Sequence, residues 1–214
     1  MSDPVKRRRY DSPARRAAAD DTRRAVLGAA RDLFISRGWA GTLVTEVARS
    51  AGVSVDTVYT SVGRKPELLL AVHDNELAEG AGPLPAGERA YVAAVRSSST
   101  ARGMIETYAE ALSRLLPCTV PLLLALREAG DSDPACRDLY AAVSARRAAN
   151  MRLFAADLRA TGQLRAGLDD DWVADLVWSM NGPEYFELIT SRGLDPTDYA
   201  QLLTRVWVST LVRE

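Results

Sequence analysis

The most pointed local chemistry in the chain lies in the run Ala51-Gly52-Val53-Ser54. Gly52 can take positive φ without a Cβ penalty, Val53 can pack beneath a turn, and the Ser54 hydroxyl can cap the segment that follows. Two short helices joined this way make a helix-turn-helix, whose second helix presents its first turn to the major groove. An ordinary helical corner uses the same turn, so the neighbouring residues must decide. Residues 1–65 hold 13 Lys and Arg against 7 Asp and Glu, a balance of +6, whereas residues 66–214 hold 14 against 21, a balance of −7. A basic first third is what a polyanion-binding surface requires, since cationic side chains gain affinity by releasing condensed counterions. Charge runs also serve simply to solvate a face.

Other reactive groupings are sparse. There is no Gly-x-x-x-x-Gly-Lys phosphate loop, no Gly-x-Gly-x-x-Gly turn and no zinc-ligand spacing, and His73 is the single histidine. His73 reads as a polar helix residue. Cys118 and Cys136 have no activating neighbours and read as inert thiols in a reducing compartment. Asp169-Asp170-Asp171 stands at a helix start, where carboxylates complement the dipole. No catalytic residue, cofactor or metal is expected.

The elements that would hold the turn are helical. Val26, Ala29, Ala30, Leu33 and Phe34 step at helical spacing and Gly38 can end that helix; Val44, Val47, Ala48 and Ala51 repeat the spacing after a Thr42 cap; Val55, Val58, Tyr59 and Val62 repeat it again after Ser54. Residues 1–20, with Lys6, Arg7, Arg8, Arg9, Arg15 and Arg16, read as a basic flexible arm that either tracks the minor groove or stays solvated. Beyond Pro66 the pattern stays helical, with segments expected at Glu88–Arg96, Ala101–Leu116, Thr119–Ala129, Pro134–Ala160, Asp170–Asn181, Pro183–Arg192 and Pro196–Val212. The chain of 214 residues, 47% hydrophobic and 26% charged, is expected to be all-α. Its domains would be an arm (1–20), a helix-turn-helix domain (21–66) and a helical regulatory and dimerisation domain (67–214). The longest apolar run, Val120 to Leu126, contains a proline and is far short of the roughly 20 residues that cross a bilayer. A cytoplasmic protein without a membrane partner is expected.

The stretch from Arg24 to Leu70 resembles the DNA-binding segment of the tetracycline-repressor (TetR) family of bacterial transcription regulators. The resemblance rests on Val26-Leu27, Ala29-Ala30, Leu33-Phe34, Gly38-Trp39, Thr42, Val47-Ala48, Ala51-Gly52-Val53-Ser54, Thr57-Val58-Tyr59, and Lys65 followed by Glu67-Leu68-Leu69. It implies a sequence-specific homodimeric regulator with a divergent helical C-terminal domain that binds a small ligand. It also implies phosphate contacts from Thr42, Tyr59 and Lys65, and base contacts from Val55, Asp56, Thr57, Thr45, Arg49 and Thr60 near the capping Ser54. Ser61 stands where the family often has histidine, and Val62 where it usually has phenylalanine.

On this reading double-stranded operator DNA is one partner, a second copy of the chain another, and an unknown small molecule the third. Dimerisation is assigned to two stripes, Trp172, Leu176 and Met180, then Tyr199, Leu202, Leu203, Val206, Trp207 and Leu211. Candidate ligand-binding residues are Met104, Tyr108, Leu112, Cys118 and Leu122, with Tyr140, Met151, Phe154, Trp178 and Tyr185 on later helices. The most favoured function is a repressor released from a palindromic operator by ligand. The alternatives are a ligand-independent DNA-binding protein and a small helical enzyme.

Overall fold

The computed structural model of the chain describes residues 13–82 and 84–213. Among these residues there are ten α-helices and a 3₁₀ turn at Ala86–Glu88, with one isolated antiparallel bridge between Leu164 and Val212 and no β-strand. Helices α1 (Pro13–Arg37), α2 (Val44–Ser50), α3 (Val55–Ser61) and α4 (Lys65–Leu77) form the head. Helices α5 (Ala90–Ser97), α6 (Ala101–Ala129), α7 (Pro134–Ala160), α8 (Asp170–Met180), α9 (Pro183–Thr190) and α10 (Pro196–Leu211) form the body.

Five helices begin on a side chain that accepts a backbone N–H: Ser54, Thr100, Asp133, Asp169 and Asp195. Such caps satisfy orphan donors and fix the helix start. Most boundaries fall within two residues of the sequence expectation, and two depart further. Helix α1 starts at Pro13, eight residues ahead of Asp21, because Ala17, Ala18 and Ala19 propagate a helix well and proline suits its first position. Lys6, Arg7, Arg8 and Arg9 lie outside the described residues.

Helix α6 is a single helix, not two segments split at Pro117. Pro117 and Pro121 both lie exposed, so the carbonyls they leave unpaired meet water while the opposite face stays buried. That face carries Ile105, Leu112, Leu116, Leu122 and Leu126, enough apolar burial to outweigh the missing N–H groups. Its length and composition would allow it to cross a membrane, yet 61% of its most apolar window is buried inside the protein, the environment of a core helix.

Two cores result. The head core joins Val26, Phe34, Val47, Val58, Leu68 and Val72 to Leu122, Leu126 and Ala129 of α6 and to Cys136 of α7. The body core centres on Tyr108, which packs against Trp207 and Phe154 with ring centroids 6.0 and 5.0 Å away. Of the residues expected at a dimer surface, Tyr199, Leu203, Trp207 and Leu211 are fully buried within the chain, and Met180 is buried with them. They face inward because helix α10 packs along α6. Trp172 stays 45% exposed, and Leu176, Leu202 and Val206 are half-buried.

Candidate functional site

The turn between α2 and α3 closes as its residues dictate. Gly52 sits at φ +69°, with open space where a Cβ would stand, so its requirement is conformational. The Val53 N–H donates to the Ala48 carbonyl at 2.9 Å, and the Ser54 hydroxyl accepts the Thr57 N–H at 3.1 Å. The same hydroxyl lies 2.8 Å from the Thr57 hydroxyl. Within α3 only Val58 is buried, and it anchors the helix on the head core. Asp56, Tyr59 and Thr60 are exposed, while Val55, Thr57 and Ser61 are half-buried.

Thr45 and Arg49 are exposed on α2, and Arg49 reaches Glu46 at 3.4 Å. Thr42 stands elsewhere. It is 1% exposed and its hydroxyl donates to the Gly38 carbonyl at 2.8 Å, which locks the α1–α2 corner. The α2 cap position belongs to Leu43, which makes no side-chain capping bond, so the Thr42 cap is not formed. Lys65 stacks its ammonium over Trp39, 4.2 Å from the ring centroid, and donates to the Trp39 carbonyl. Burial lowers its pKa. Tyr59, Arg64 and Lys65 line an open depression beside the start of α4. The Ser61 carbonyl accepts from the Arg23 guanidinium of α1, which fixes the far end of α3.

A second site lies in the body. A cavity of about 70 Å³ is enclosed by α4, α6, α7, the start of α5 and the α8–α9 corner. Of the expected ligand residues, Tyr108, Leu112 and Met151 line it; Phe154, with Tyr108 and Met151, lines a neighbouring cavity of about 60 Å³. The others serve different contacts. Met104 packs in the body core and Leu122 in the head core. Cys118 takes an Arg31 contact at 3.8 Å, Tyr140 donates to Glu184, Trp178 lies beneath the Arg147 guanidinium, and Tyr185 packs near Tyr199.

The polar part of this cavity was not visible in the apolar pattern. It comprises His73, Arg89, Thr119, Arg146, Arg147, Asn150 and Asn181. His73 is 3% exposed rather than a surface residue of its helix. Burial depresses its pKa, outweighing the opposing effect of the hydrogen bond its Nδ1–H donates to Asp74 at 3.1 Å, and so favours neutral imidazole. Burial would raise the Asp74 pKa, but hydrogen bonds from His73 and Arg146 hold it low. Arg146 grips Asp74 with two bonds of 2.6 and 3.2 Å, fastening α7 to α4. Burial lowers the pKa of Arg147, which donates to the Trp178 carbonyl at 3.1 Å and to the Asn181 side-chain oxygen. The signal that could have found these groups is weak: an Arg in a helix is ordinarily a solvated residue.

Comparison with known proteins places this geometry in context. Residues 26–72 match the family model of bacterial regulatory proteins, tetR family. A 65-residue stretch is 38% identical to the HTH-type transcriptional regulator AlkX of Mycobacterium tuberculosis, covering 30% of this chain and 29% of that protein. The whole chain is similar in fold to NalD, a repressor from Pseudomonas aeruginosa, with TM-score 0.67 and 22% identity over 92% of this chain and 99% of that one. It is also similar to a transcriptional regulator from Saccharomonospora viridis solved in complex with choline, with TM-score 0.69 and 20% identity over 90% and 98% of the two chains. The SmeT–triclosan complex aligns with TM-score 0.68 and 17% identity over 90% and 92%.

Proposed function

Because residues 26–72 match the model of bacterial regulatory proteins, tetR family, and the fold is that of such regulators along nearly the whole chain, we propose that the protein is a homodimeric cytoplasmic repressor that binds a palindromic operator and is released by a small molecule. The observation that carries the reading is α3, a capped helix that buries Val58 and leaves Asp56, Tyr59 and Thr60 in solvent. Val55 and the Thr57 methyl suit thymine, Arg49 suits guanine, and Asp56 can accept from cytosine while serving the helix dipole. Tyr59 supplies a phosphate donor. Lys65 keeps donors free beyond the one it spends on Trp39 and sits at the start of α4, where backbone N–H groups also favour an anion. Thr42 acts on the interface indirectly, by holding the α1–α2 corner.

One α3 reads too few base pairs for a specific site, so two copies are needed at half-sites one helical turn apart. The surface for pairing combines Trp172 and Leu176 of α8 with Leu202 and Val206 of α10. NalD is described as a repressor, and two structural neighbours hold choline and triclosan, which supports a body that takes small molecules. Helix α4 supplies the linkage: His73 and Leu77 line the cavity, while Lys65 and Pro66 stand beside α3 about 10–18 Å away along the helix. An occupied cavity moves α4, and with it the spacing of the two α3 helices.

The test is selection of bound DNA from a random library by the purified protein, repeated after adding candidate effectors. A palindromic motif lost on adding an effector is expected. By linkage, operator must weaken effector binding by the same factor; equal effector affinity with and without operator would refute the coupling.

A further inference from the structure

The body cavity holds more positive charge than the described residues neutralise. Three guanidiniums line it, from Arg89, Arg146 and Arg147, and no Asp or Glu does. Arg146 is matched by Asp74 at 2.6 Å. Arg147 donates to neutral oxygens of Trp178 and Asn181, and the carboxylate that acts on it through space, Glu184, is already paired with Arg127 at 3.1 Å. Arg89 is 5% exposed, its Nε has no hydrogen-bond partner, and among the described residues it has no ion pair. A buried charge without a counter-charge is costly, and chains keep such groups where something else supplies the missing partner. His73, whose pKa burial lowers, supplies no negative charge in either protonation state.

The remaining wall is apolar: Leu112, Leu116, Val120, Leu123, Val143 and Met151. We propose that the cavity takes an organic anion, a single carboxylate or phosphate head on an apolar body, with the head between Arg89 and Arg147 and the body against α6. A planar guanidinium fits either head with two parallel hydrogen bonds, and the apolar wall removes the tail from water. The side-chain amide of Asn150 and the Arg147-bound Asn181 frame the head. A cationic ligand is disfavoured by the same charge balance. The proposal rests on the reading of this cavity as the effector site and adds the chemical class of the effector.

Calorimetry and thermal melting of the full-length protein, without DNA, test it. The probes are hexanoate, decanoate, naphthoate and decyl phosphate, each compared with decanol and decylamine, and inorganic phosphate alone. At least one organic anion should bind and raise the melting temperature, at least tenfold tighter than the alcohol, with the amine weakest. The carboxylate and phosphate arms identify the head. Arg89→Met should reduce the anion-to-alcohol ratio to near one while leaving decanol binding unchanged, and Arg89→Lys should retain part of it.

Without ligand, Arg89→Met should melt a few degrees above the parent, because it removes an unmatched buried charge. A large drop in melting temperature would instead make Arg89 a structural residue and overturn the proposal. So would alcohol binding as tight as carboxylate binding, the failure of every organic anion to bind, or a response to inorganic phosphate alone. Operator binding is read separately. Anion binding that depends on Arg89 but leaves the operator complex intact upholds this inference and sinks the release mechanism; release by neutral compounds regardless of Arg89 does the reverse.

Discussion

The head and the body solve different problems with the same helical material. The head core is mostly aliphatic, with Phe34 stacked on Trp39, and each helix there meets its neighbours through a short stripe such as Val26–Ala30–Phe34 or Leu68–Leu69–Val72. The body core is built around aromatic rings, and buried nitrogens of Trp178, Trp207 and Arg89 lack hydrogen-bond partners. A region with a cavity retains unsatisfied polar groups, and the difference locates where a small molecule can contribute free energy.

The contrast can be broken first at its largest contact. Trp207→Ala removes a fully buried indole that packs on Tyr108 and should cost about 3–5 kcal/mol in denaturant melts. Trp207 belongs to the body core and not to the head core, so the loss should fall on the body's hydrogen-exchange protection before the head's. Simultaneous loss in both regions would show that they unfold as one unit.

Acid should act on the body through His73. Its folded pKa lies below the unfolded value of about 6.5, so the unfolded chain binds the proton first. The contribution is fully present above that pH and is lost as pH falls toward the folded pKa, at no more than about 1.4 kcal/mol per pH unit. His73→Gln should flatten the stability profile between neutral pH and mild acid. Parallel profiles for parent and variant would mean that the imidazole is not held neutral.

In the head, Ser54→Ala should cost about 1 kcal/mol by deleting the α3 cap. It should weaken DNA binding by more than that stability loss explains, because α3 then frays at its reading end. The smallest stability effect belongs to Tyr59→Phe, within about 0.5 kcal/mol, since the exposed hydroxyl has no partner among the described residues. Its operator affinity should nevertheless drop about tenfold, the value of one phosphate hydrogen bond. Unchanged affinity for that variant would remove Tyr59 from the interface.

The head was readable in the sequence because its organisation is local. Gly38 and Gly52 end helices at positive φ, Ser54 caps α3, and the buried apolar residues of α1, α2 and α3 recur at helical spacing. Thr42 shows the limit: a hydroxyl before a helix looks like a cap, yet packing against α1 turned it to Gly38. In the body, Pro134–Ala160 was readable from its proline start and Asp133 cap. The long α6 was not, because two prolines on a solvent face look like breaks when the burial of the other face is unknown. The cavity was least legible. Its arginines come from the start of α5 and from the middle of α7, and only tertiary packing reveals that they point the same way.

Leu122, Leu126 and Ala129 of α6 form part of the floor on which the DNA-facing helices rest. A fragment severed after Leu77 would therefore expose Leu68, Leu69 and Val72 to water and should be prone to aggregate. Anyone transplanting this reading head onto a foreign sensor must carry the last two turns of α6 along with it, or supply a substitute pedestal of the same shape.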